Sequence, residues 1–192
     1  MGVIGVLALQ GDFAEHIKLL ESIGVETTEV RLVDDLRKIQ ALIIPGGEST
    51  TIVQLMDTFK LTEEISGLVK DGMPTWGTCA GMIILAKEIT EDRPKPLGLM
   101  DIRVRRNAYG SQVDSFETDV SVPVLGEDPF HAVFIRAPAI EDIGPEVKSL
   151  ADLSEHGVIA ARQGNMLVTA FHPELTQDQR FHSYFLSMAS GR

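Results

Sequence analysis

The amino-acid sequence predicts an α/β fold of three layers, in which helices flank a mostly parallel central sheet. Apolar runs in the first half of the chain are continuous, as in strands that are buried on both faces. They cover residues 3–9, 41–44 and a short segment that ends at Thr78. Helical patterns separate these runs, and a parallel pair of strands needs such a crossover.

The elements between the strands follow from the spacing of apolar residues. One face of a first helix is predicted to carry Phe13, Ile17, Leu20 and Ile23. In chain order we then expect a strand over 25–30 and helices over 34–39 and 63–70. Between these two helices we expect another, with Ile52 and Met56 on its apolar face. Ser49, Thr50 or Thr51 can cap this helix.

From residue 100 the pattern changes to short alternating runs separated by turns, which predicts antiparallel strands. The runs cover residues 102–105, 113–124, 133–136, 147–153, 157–162 and 166–171. A last helix is expected over 177–189. We expect a small antiparallel extension of a single domain, residues 1–192, because this length and a hydrophobic content of 44% suffice for a sizeable core.

Composition excludes several functional classes. The net charge of −11 argues against binding to nucleic acid or to anionic membranes, both of which require cationic surfaces. No apolar run approaches the roughly 18 residues of a membrane span. The first residues lack the basic start of a signal peptide, and one cysteine cannot form an internal disulfide. These features predict a cytoplasmic protein.

The segment around the only cysteine has the spacing of a nucleophile elbow. Gly77, Cys79 and Gly81 fit the pattern G-x-S-x-G, with sulfur in place of the hydroxyl. Glycines and the small Ala80 suit a tight turn between a strand and a helix. The spacing favours Cys79 as a nucleophile, and the alternative is a buried structural cysteine.

A nucleophilic thiol needs a base and a group that orients the base. His172 follows a predicted buried strand, and the carboxylate of Glu174 lies two residues further on. Such a carboxylate can accept one imidazole N–H and leave the other nitrogen for the sulfur. The other four histidines are expected to be exposed or to cap helices; they are His16, His131, His156 and His182.

The loop at 45–49 is expected at the same edge of the sheet, because the carboxyl ends of parallel strands converge there. Its two glycines allow the Gly47 N–H to turn toward developing negative charge. The Ala80 N–H, directly after the nucleophile, is the second candidate oxyanion donor. The loop lacks the Lys and spacing of a phosphate-binding P-loop.

Three blocks together, at residues 45–51, 77–81 and 171–175, resemble the class I glutamine amidotransferases, whose sheet is flavodoxin-like. More narrowly, the chain resembles the glutaminase subunits of pyridoxal 5′-phosphate synthases. Further blocks that match this subfamily lie at residues 9–11, 106–110, 112–117 and 134–138. The resemblance covers essentially the whole chain.

The resemblance implies hydrolysis of L-glutamine by a triad of Cys79, His172 and Glu174, without metal or cofactor. It also implies that glutamine is bound at matching positions, which are Gly47, Glu48, Ser49, Arg106, Ile135 and Arg136. An Arg in a mostly acidic protein is a natural partner for the α-carboxylate of glutamine. A solvated charge on a hairpin is the alternative for Arg106.

The implied partner is a synthase subunit, in a large hetero-oligomer, that receives the ammonia and builds pyridoxal 5′-phosphate. The sequence ends one helix after the triad, so no acceptor domain is expected within it. Gln10 and Gly11 are expected at the same sheet edge, where they could sense docking. One departure concerns Ser111, where the family usually has Arg.

Three alternatives remain open at this point. A stand-alone thiol hydrolase of the same elbow type usually has His directly after the cysteine, whereas this chain has Ala80. A non-catalytic binding module would be expected to lack part of the triad. The glutaminase subunit of another amidotransferase is disfavoured by Arg106 and the block at 112–117.

Overall fold

The computed structural model of the protein describes residues 2–108, 115–153 and 157–191, and its main element is a ten-stranded sheet. The strands are β1 (Ile4–Leu7), β2 (Thr27–Val30), β3 (Ala41–Ile44), β4 (Thr75–Thr78), β5 (Ala86–Ile89), β6 (Met100–Arg105), β7 (Ser115–Val120), β8 (Phe130–Ile135), β9 (Ala139–Ile143), β10 (Lys148–Leu153), β11 (Gly157–Gln163) and β12 (Met166–Thr169). The helices are α1 (Phe13–Ser22), α2 (Val33–Leu36), α3 (Ser49–Thr58), α4 (Leu61–Lys70), α5 (Ala80–Leu85) and α6 (Arg180–Ala189). Short 3₁₀ turns lie at Pro123–Leu125 and Pro173–Leu175.

The large sheet joins a parallel half to a largely antiparallel half. Its strand order is β2-β1-β3-β4-β12-β11-β9-β6-β5, with β10 paired to β11. The first five strands pair in parallel. The pairs β12–β11, β11–β9 and β9–β6 are antiparallel, while β7 and β8 form a separate two-stranded sheet. The predicted mostly parallel sheet with an antiparallel extension is confirmed.

The centre of the parallel half is fully buried, as its continuous apolar sequences predict. Every residue of β1, β3 and β4 is buried. α5 is also buried along its whole length, in contact with α3, β3 and β4. Among the described residues, no helix has the length and apolar character that a membrane crossing requires.

Some elements differ from the sequence prediction. β9 was not predicted, because Pro138 was expected only to end a strand and most of β9 is exposed, without an apolar run. β5 was also missed, since it follows α5 without a linker. α6 begins later than predicted because the Asp178 carboxylate accepts the Arg180 N–H at 3.0 Å and ends the preceding loop.

Two histidines that we expected at the surface lie in the core instead. His16 on α1 and His182 on α6 are both 0% exposed, and the His182 ring packs against Trp76 with 4.8 Å between centroids. α1 therefore turns His16 inward, while Phe13 and Ile17 of the predicted face are only half-buried. His131 is exposed, as predicted, and His156 lies outside the described residues.

Burial keeps both core histidines neutral at pH 7. It lowers the pKa of His182 to about 3. Burial, and to a lesser degree the neighbouring His182 and His172, lowers the pKa of His16 well below its ordinary value of 6.5. In the unfolded chain both side chains bind protons near pH 6.5. Folding therefore becomes less favourable as the pH falls below that value.

We predict that the free energy of unfolding decreases with each pH unit below about 6, and that His182→Asn reduces this slope. The unfolded wild type binds a proton on residue 182 that the folded protein excludes until the pH nears 3. One such proton contributes a slope of about 1.4 kcal/mol per pH unit. Urea unfolding at several pH values between 4.5 and 7 measures it.

His131→Asn is the matched control. His131 is exposed, and hydrogen bonds with Glu117 and Asp119 raise its pKa, so the folded and unfolded forms are both protonated below pH 5.5. Below pH 5.5 the slope of that variant should match the wild type. An unchanged slope in His182→Asn would contradict the burial-based account of that histidine.

Candidate active site

The loops that follow β1, β3, β4 and β12 meet around one cavity of about 340 Å³. They meet because these parallel strands all end at the same edge of the sheet. Every predicted site residue except Glu174 lines this cavity; those residues are Gln10, Gly11, Gly47, Glu48, Ser49, Cys79, Ala80, Arg106, Ile135, Arg136 and His172. Glu174 is buried behind His172.

Cys79 occupies a sharp turn between β4 and α5, with φ 47° and ψ −101°. This left-handed region is unfavourable for a residue with a side chain. The close neighbours are glycines for steric reasons: a Cβ on Gly81 would lie 2.0 Å from the Ile44 carbonyl oxygen, and one on Gly77 would lie 2.5 Å from the Gly81 carbonyl. The Cys79 N–H donates to the Thr169 carbonyl at 2.8 Å, which ties the turn to β12.

His172 is held on both sides. Its backbone N–H donates to the Val133 carbonyl at 2.9 Å. On the ring, Nδ1 lies 2.7 Å from Oε1 of the buried Glu174. The ring edge packs against backbone, since a Cβ on Gly46 would lie 2.4 Å from Cε1 of the ring. With Nδ1 facing Glu174, the other ring nitrogen is left for a different partner.

That partner is the Cys79 thiol. Burial acts to lower the pKa of His172, but its hydrogen bonds with Cys79 and Glu174 and their charges outweigh burial and raise the pKa to about 11. At neutral pH the imidazole is therefore protonated. The Cys79 Sγ also lies 3.9 Å from the Ile135 carbonyl oxygen. Burial raises the pKa of Glu174, and the hydrogen bond and charge of His172 oppose that effect.

The loop after β1 fixes the glycine loop after β3. Oε1 of Gln10 accepts the Glu48 N–H at 2.7 Å. Gly11 has φ 100°, and a Cβ there would lie 1.8 Å from the Gly46 carbonyl oxygen. Gly47 has φ 154°, a conformation that residues with a side chain rarely adopt. The position of Gly47 thus depends on Gln10 and Gly11.

Glu48 caps α3, so our expectation that Ser49, Thr50 or Thr51 provides the cap is wrong. Its carboxylate accepts the backbone N–H groups of Thr50 and Thr51 at 3.1 and 2.7 Å, because its side chain extends forward over the first turn of the helix. Burial acts to raise the pKa of Glu48, but these bonds lower it below its ordinary value. The Ser49 Oγ is buried without a hydrogen bond to any described group.

Arg106 and Arg136 bring positive charge to the cavity. Nη1 of Arg106 donates to the Arg93 carbonyl at 2.7 Å, and Nη2 lies 3.4 Å from Oε1 of Glu48. These contacts place the guanidinium at the cavity, although its side chain is only 24% exposed. Arg136 has φ 42°, so it lies in a constrained turn directly after β8.

Asp12 is a cavity residue that the sequence analysis treated only as part of a turn. Its Oδ2 lies 3.4 Å from Nδ1 of His172, and burial raises its pKa while His172 opposes the rise. Because Asp12 directly follows Gln10 and Gly11, which were predicted at this sheet edge, its place in the cavity could have been predicted from the sequence. Asp12, His172 and Glu174 could also be considered as metal ligands, because one ligand atom of each lies within 4.8 Å of the others. The hydrogen bond to Glu174, however, already engages Nδ1 of His172.

Some residues of the blocks that match the family lie outside the described residues. Ser111, at the departure from the family pattern, belongs to the stretch 109–114, as do the last two residues of the matching block at 106–110 and the first three of the block at 112–117.

Comparison with known proteins finds relatives that match over nearly the whole chain. The chain is 60% identical over 188 residues to the pyridoxal 5′-phosphate synthase subunit PdxT of Herpetosiphon aurantiacus, covering 96% of this chain and 99% of the relative. It is 58% identical over 186 residues to the protein of the same name from Moorella thermoacetica, covering 96% and 98%.

Solved structures agree as well. A crystal structure of a glutamine amidotransferase superposes with a TM-score of 0.92 at 48% identity, covering 98% of this chain and 100% of that one. A structure of PurLQS from Thermotoga maritima shares only the fold, with a TM-score of 0.67 at 16% identity, covering 97% and 99%. The model of the SNO glutamine amidotransferase family matches residues 6–190, so the chain belongs to that family.

Proposed function

We propose that the chain is a single glutaminase domain, residues 1–192, that serves as the glutaminase subunit of a pyridoxal 5′-phosphate synthase. It hydrolyses L-glutamine to L-glutamate and ammonia, and a synthase subunit in a larger hetero-oligomer receives the ammonia. The observation that carries the proposal is that Cys79 and His172 meet at one cavity, with the buried Glu174 bonded to His172 from behind. The single cysteine suits a reducing cytoplasm, which is where we place the protein.

In the first half of the reaction the Cys79 thiolate attacks the side-chain amide carbon of glutamine. The carbon–sulfur bond forms, and the carbonyl electron pair moves onto oxygen. The N–H groups of Gly47 and Ala80 stabilise this oxyanion. The protonated His172 then gives its proton to the amide nitrogen, the carbon–nitrogen bond breaks, and ammonia leaves a γ-glutamyl thioester.

In the second half His172, now neutral, takes a proton from water as the water oxygen attacks the thioester carbon. Collapse of the second tetrahedral intermediate breaks the carbon–sulfur bond. Glutamate leaves, and the thiolate–imidazolium pair is restored. Glu174 accepts the Nδ1–H of His172 throughout, which fixes the tautomer and stabilises the imidazolium.

Free glutamine also carries an α-carboxylate and an α-ammonium group. Arg106 and Arg136 supply the positive charge for the carboxylate, and Glu48 supplies an acceptor for the ammonium. The unpartnered Ser49 hydroxyl and the backbone of Ile135 and Gly47 complete the pocket. Glu48 also contacts Arg106, so substrate binding and the start of α3 are coupled.

The glycine loop offers a point at which a partner can control activity. Gln10 and Gly11 contact the 46–48 backbone directly, so a partner that docks against them can reorient the Gly47 peptide. The partner then favours the loop conformation in which both oxyanion donors point into the site. Glutamine hydrolysis is thereby restricted to complexes in which the ammonia is used.

We predict that Cys79→Ala abolishes glutamine hydrolysis and that His172→Asn lowers kcat by about 100- to 10,000-fold, since acid–base catalysis contributes that much. Glu174→Gln should cost less, because it orients His172 without transferring protons. Ammonia release by folded variants, in the presence of the synthase subunit, is the measurement. Wild-type activity in a folded Cys79→Ala variant would contradict the assignment.

We predict that Arg106→Ala raises KM for glutamine by about 10- to 100-fold, the effect of losing one charge-assisted hydrogen bond. Arg105→Ala is the matched control, because Arg105 is an exposed neighbour on β6 that pairs with Glu141 instead. Steady-state kinetics should separate the two variants. An unchanged KM in Arg106→Ala would contradict the assignment and show that Arg106 does not bind glutamine.

We predict that stoichiometric synthase subunit raises kcat at saturating glutamine. Gaining one oxyanion donor is worth about 100- to 1,000-fold in kcat. Gln10→Ala should reduce the activated kcat, because it removes the acceptor of the Glu48 N–H. Equal kcat with and without the synthase subunit would rule out the gate, and full activation of Gly47→Pro, which has no N–H, would exclude this loop as its mechanism.

A further inference from the structure

A buried chain of polar groups lies behind the triad and has no part in the reaction derived above. His16, Thr78 and His182 are each 0% exposed. Nδ1 of His16 lies 2.9 Å from Nε2 of His182, and Nε2 of His16 lies 3.2 Å from Oγ1 of Thr78. The same Nε2 lies 3.4 Å from Oε2 of Glu174.

The two oxygens of Glu174 have different surroundings. Oε1 is engaged by Nδ1 of His172 at 2.7 Å. Oε2 is buried and has no hydrogen bond that meets ordinary geometry among the described residues. A buried carboxylate oxygen without a donor is costly. The nitrogen of His16 at 3.4 Å is placed to serve it after a small adjustment.

The proton arrangement along this chain can be worked out. A neutral imidazole has one N–H and one bare nitrogen, and both rings are neutral because their pKa values are lowered by burial. The contact between the two rings therefore needs one donor and one acceptor. Two arrangements are possible, and they differ at both ends of the chain.

In the first arrangement Nε2–H of His182 donates to Nδ1 of His16. His16 then carries its own proton on Nε2, where it faces Thr78 and Glu174. The only unsatisfied atom of the two rings is Nδ1 of His182, which has no hydrogen bond to any described group and is a bare lone pair in this arrangement.

In the second arrangement His16 donates from Nδ1 to His182. Nδ1 of His182 must then carry a proton, which leaves a buried N–H without an acceptor among the described residues. Nε2 of His16 becomes a lone pair that faces the Glu174 carboxylate and repels it. Orphaned buried N–H groups are rarer than unpaired acceptors, so both ends of the chain favour the first arrangement.

We propose that His16 is a positioning residue of the glutaminase, whose Nε2–H holds the Glu174 carboxylate in place for His172. The inference rests on the proposed role of the triad. His16 touches neither the cavity nor the thiol and acts only through Glu174. With both carboxylate oxygens engaged, Glu174 keeps the orientation that fixes the His172 tautomer.

The kinetic test compares two amides that place their donors differently. The side-chain N–H₂ of Gln can reach the place of Nε2, whereas that of Asn reaches only the place of Nδ1. In the complex with the synthase subunit, we expect His16→Leu and His16→Asn to lower kcat by about 10- to 100-fold, with KM for L-glutamine unchanged. His16→Gln should restore most of the wild-type kcat.

A double-mutant cycle separates positioning from general structural damage. If His16 acts through Glu174, adding His16→Leu to Glu174→Gln should cost little further kcat. If His16 only supports the core, the two losses should multiply. Multiplied losses, equal rescue by Asn and Gln, or wild-type kcat in His16→Leu would each overturn the proposal.

Nitrogen-15 NMR of the isolated wild-type chain tests the proposal without any variant and without glutaminase activity. We expect both His16 and His182 as the neutral Nε2–H tautomer. An Nδ1–H tautomer at His16 would overturn the inference even if the triad assignment stands. Conversely, failure of Cys79→Ala to abolish hydrolysis would refute the proposed function and leave the tautomer result intact.

Discussion

The site depends on one backbone constraint, the left-handed conformation of Cys79 between β4 and α5. The surrounding structure enforces this conformation, because neighbouring backbone packs closely against Gly77 on one side and Gly81 on the other. Any side chain at position 81 would collide with the Ile44 carbonyl and push α5 away from β3. The turn is also anchored to β12 through the Cys79 N–H, so the thiol and His172 are positioned by the same pair of strands.

The cavity contains several positively charged groups, although the protein as a whole is acidic. The chain carries a net charge of −11, yet the cavity contains Arg106, Arg136 and a protonated His172. Groups that are partly buried there interact more strongly than fully solvated ones, because the effective dielectric constant is lower than in water. Three carboxylates lie beside these groups: Glu174 is bonded to His172, Glu48 is bonded to the start of α3, and Asp12 lies 3.4 Å from Nδ1 of His172. The α-carboxylate of a substrate therefore finds two guanidinium groups within a mixed set of charges.

The sequence predicted the parts of the fold and site that local rules determine. The continuous apolar strands, the elbow at Cys79 and the strand-end placement of His172 all follow from short patterns. It did not predict that His16 and His182 are buried, because a polar residue on a helix is buried only when another element supplies its partner. The cap by Glu48 and the cavity position of Asp12 likewise depend on contacts between loops that are far apart in the chain.

In the proposed mechanism Cys79, paired with His172, attacks bound glutamine. A glutamine analogue with a chloroketone in place of the side-chain amide tests it most directly, because it alkylates a thiolate only where glutamine binds. Peptide mapping should find one label per chain, on Cys79, with L-glutamine slowing its attachment and His172→Asn slowing it further. Labelling of Cys79 that glutamine does not slow, or that is equally fast in His172→Asn, would contradict the claim.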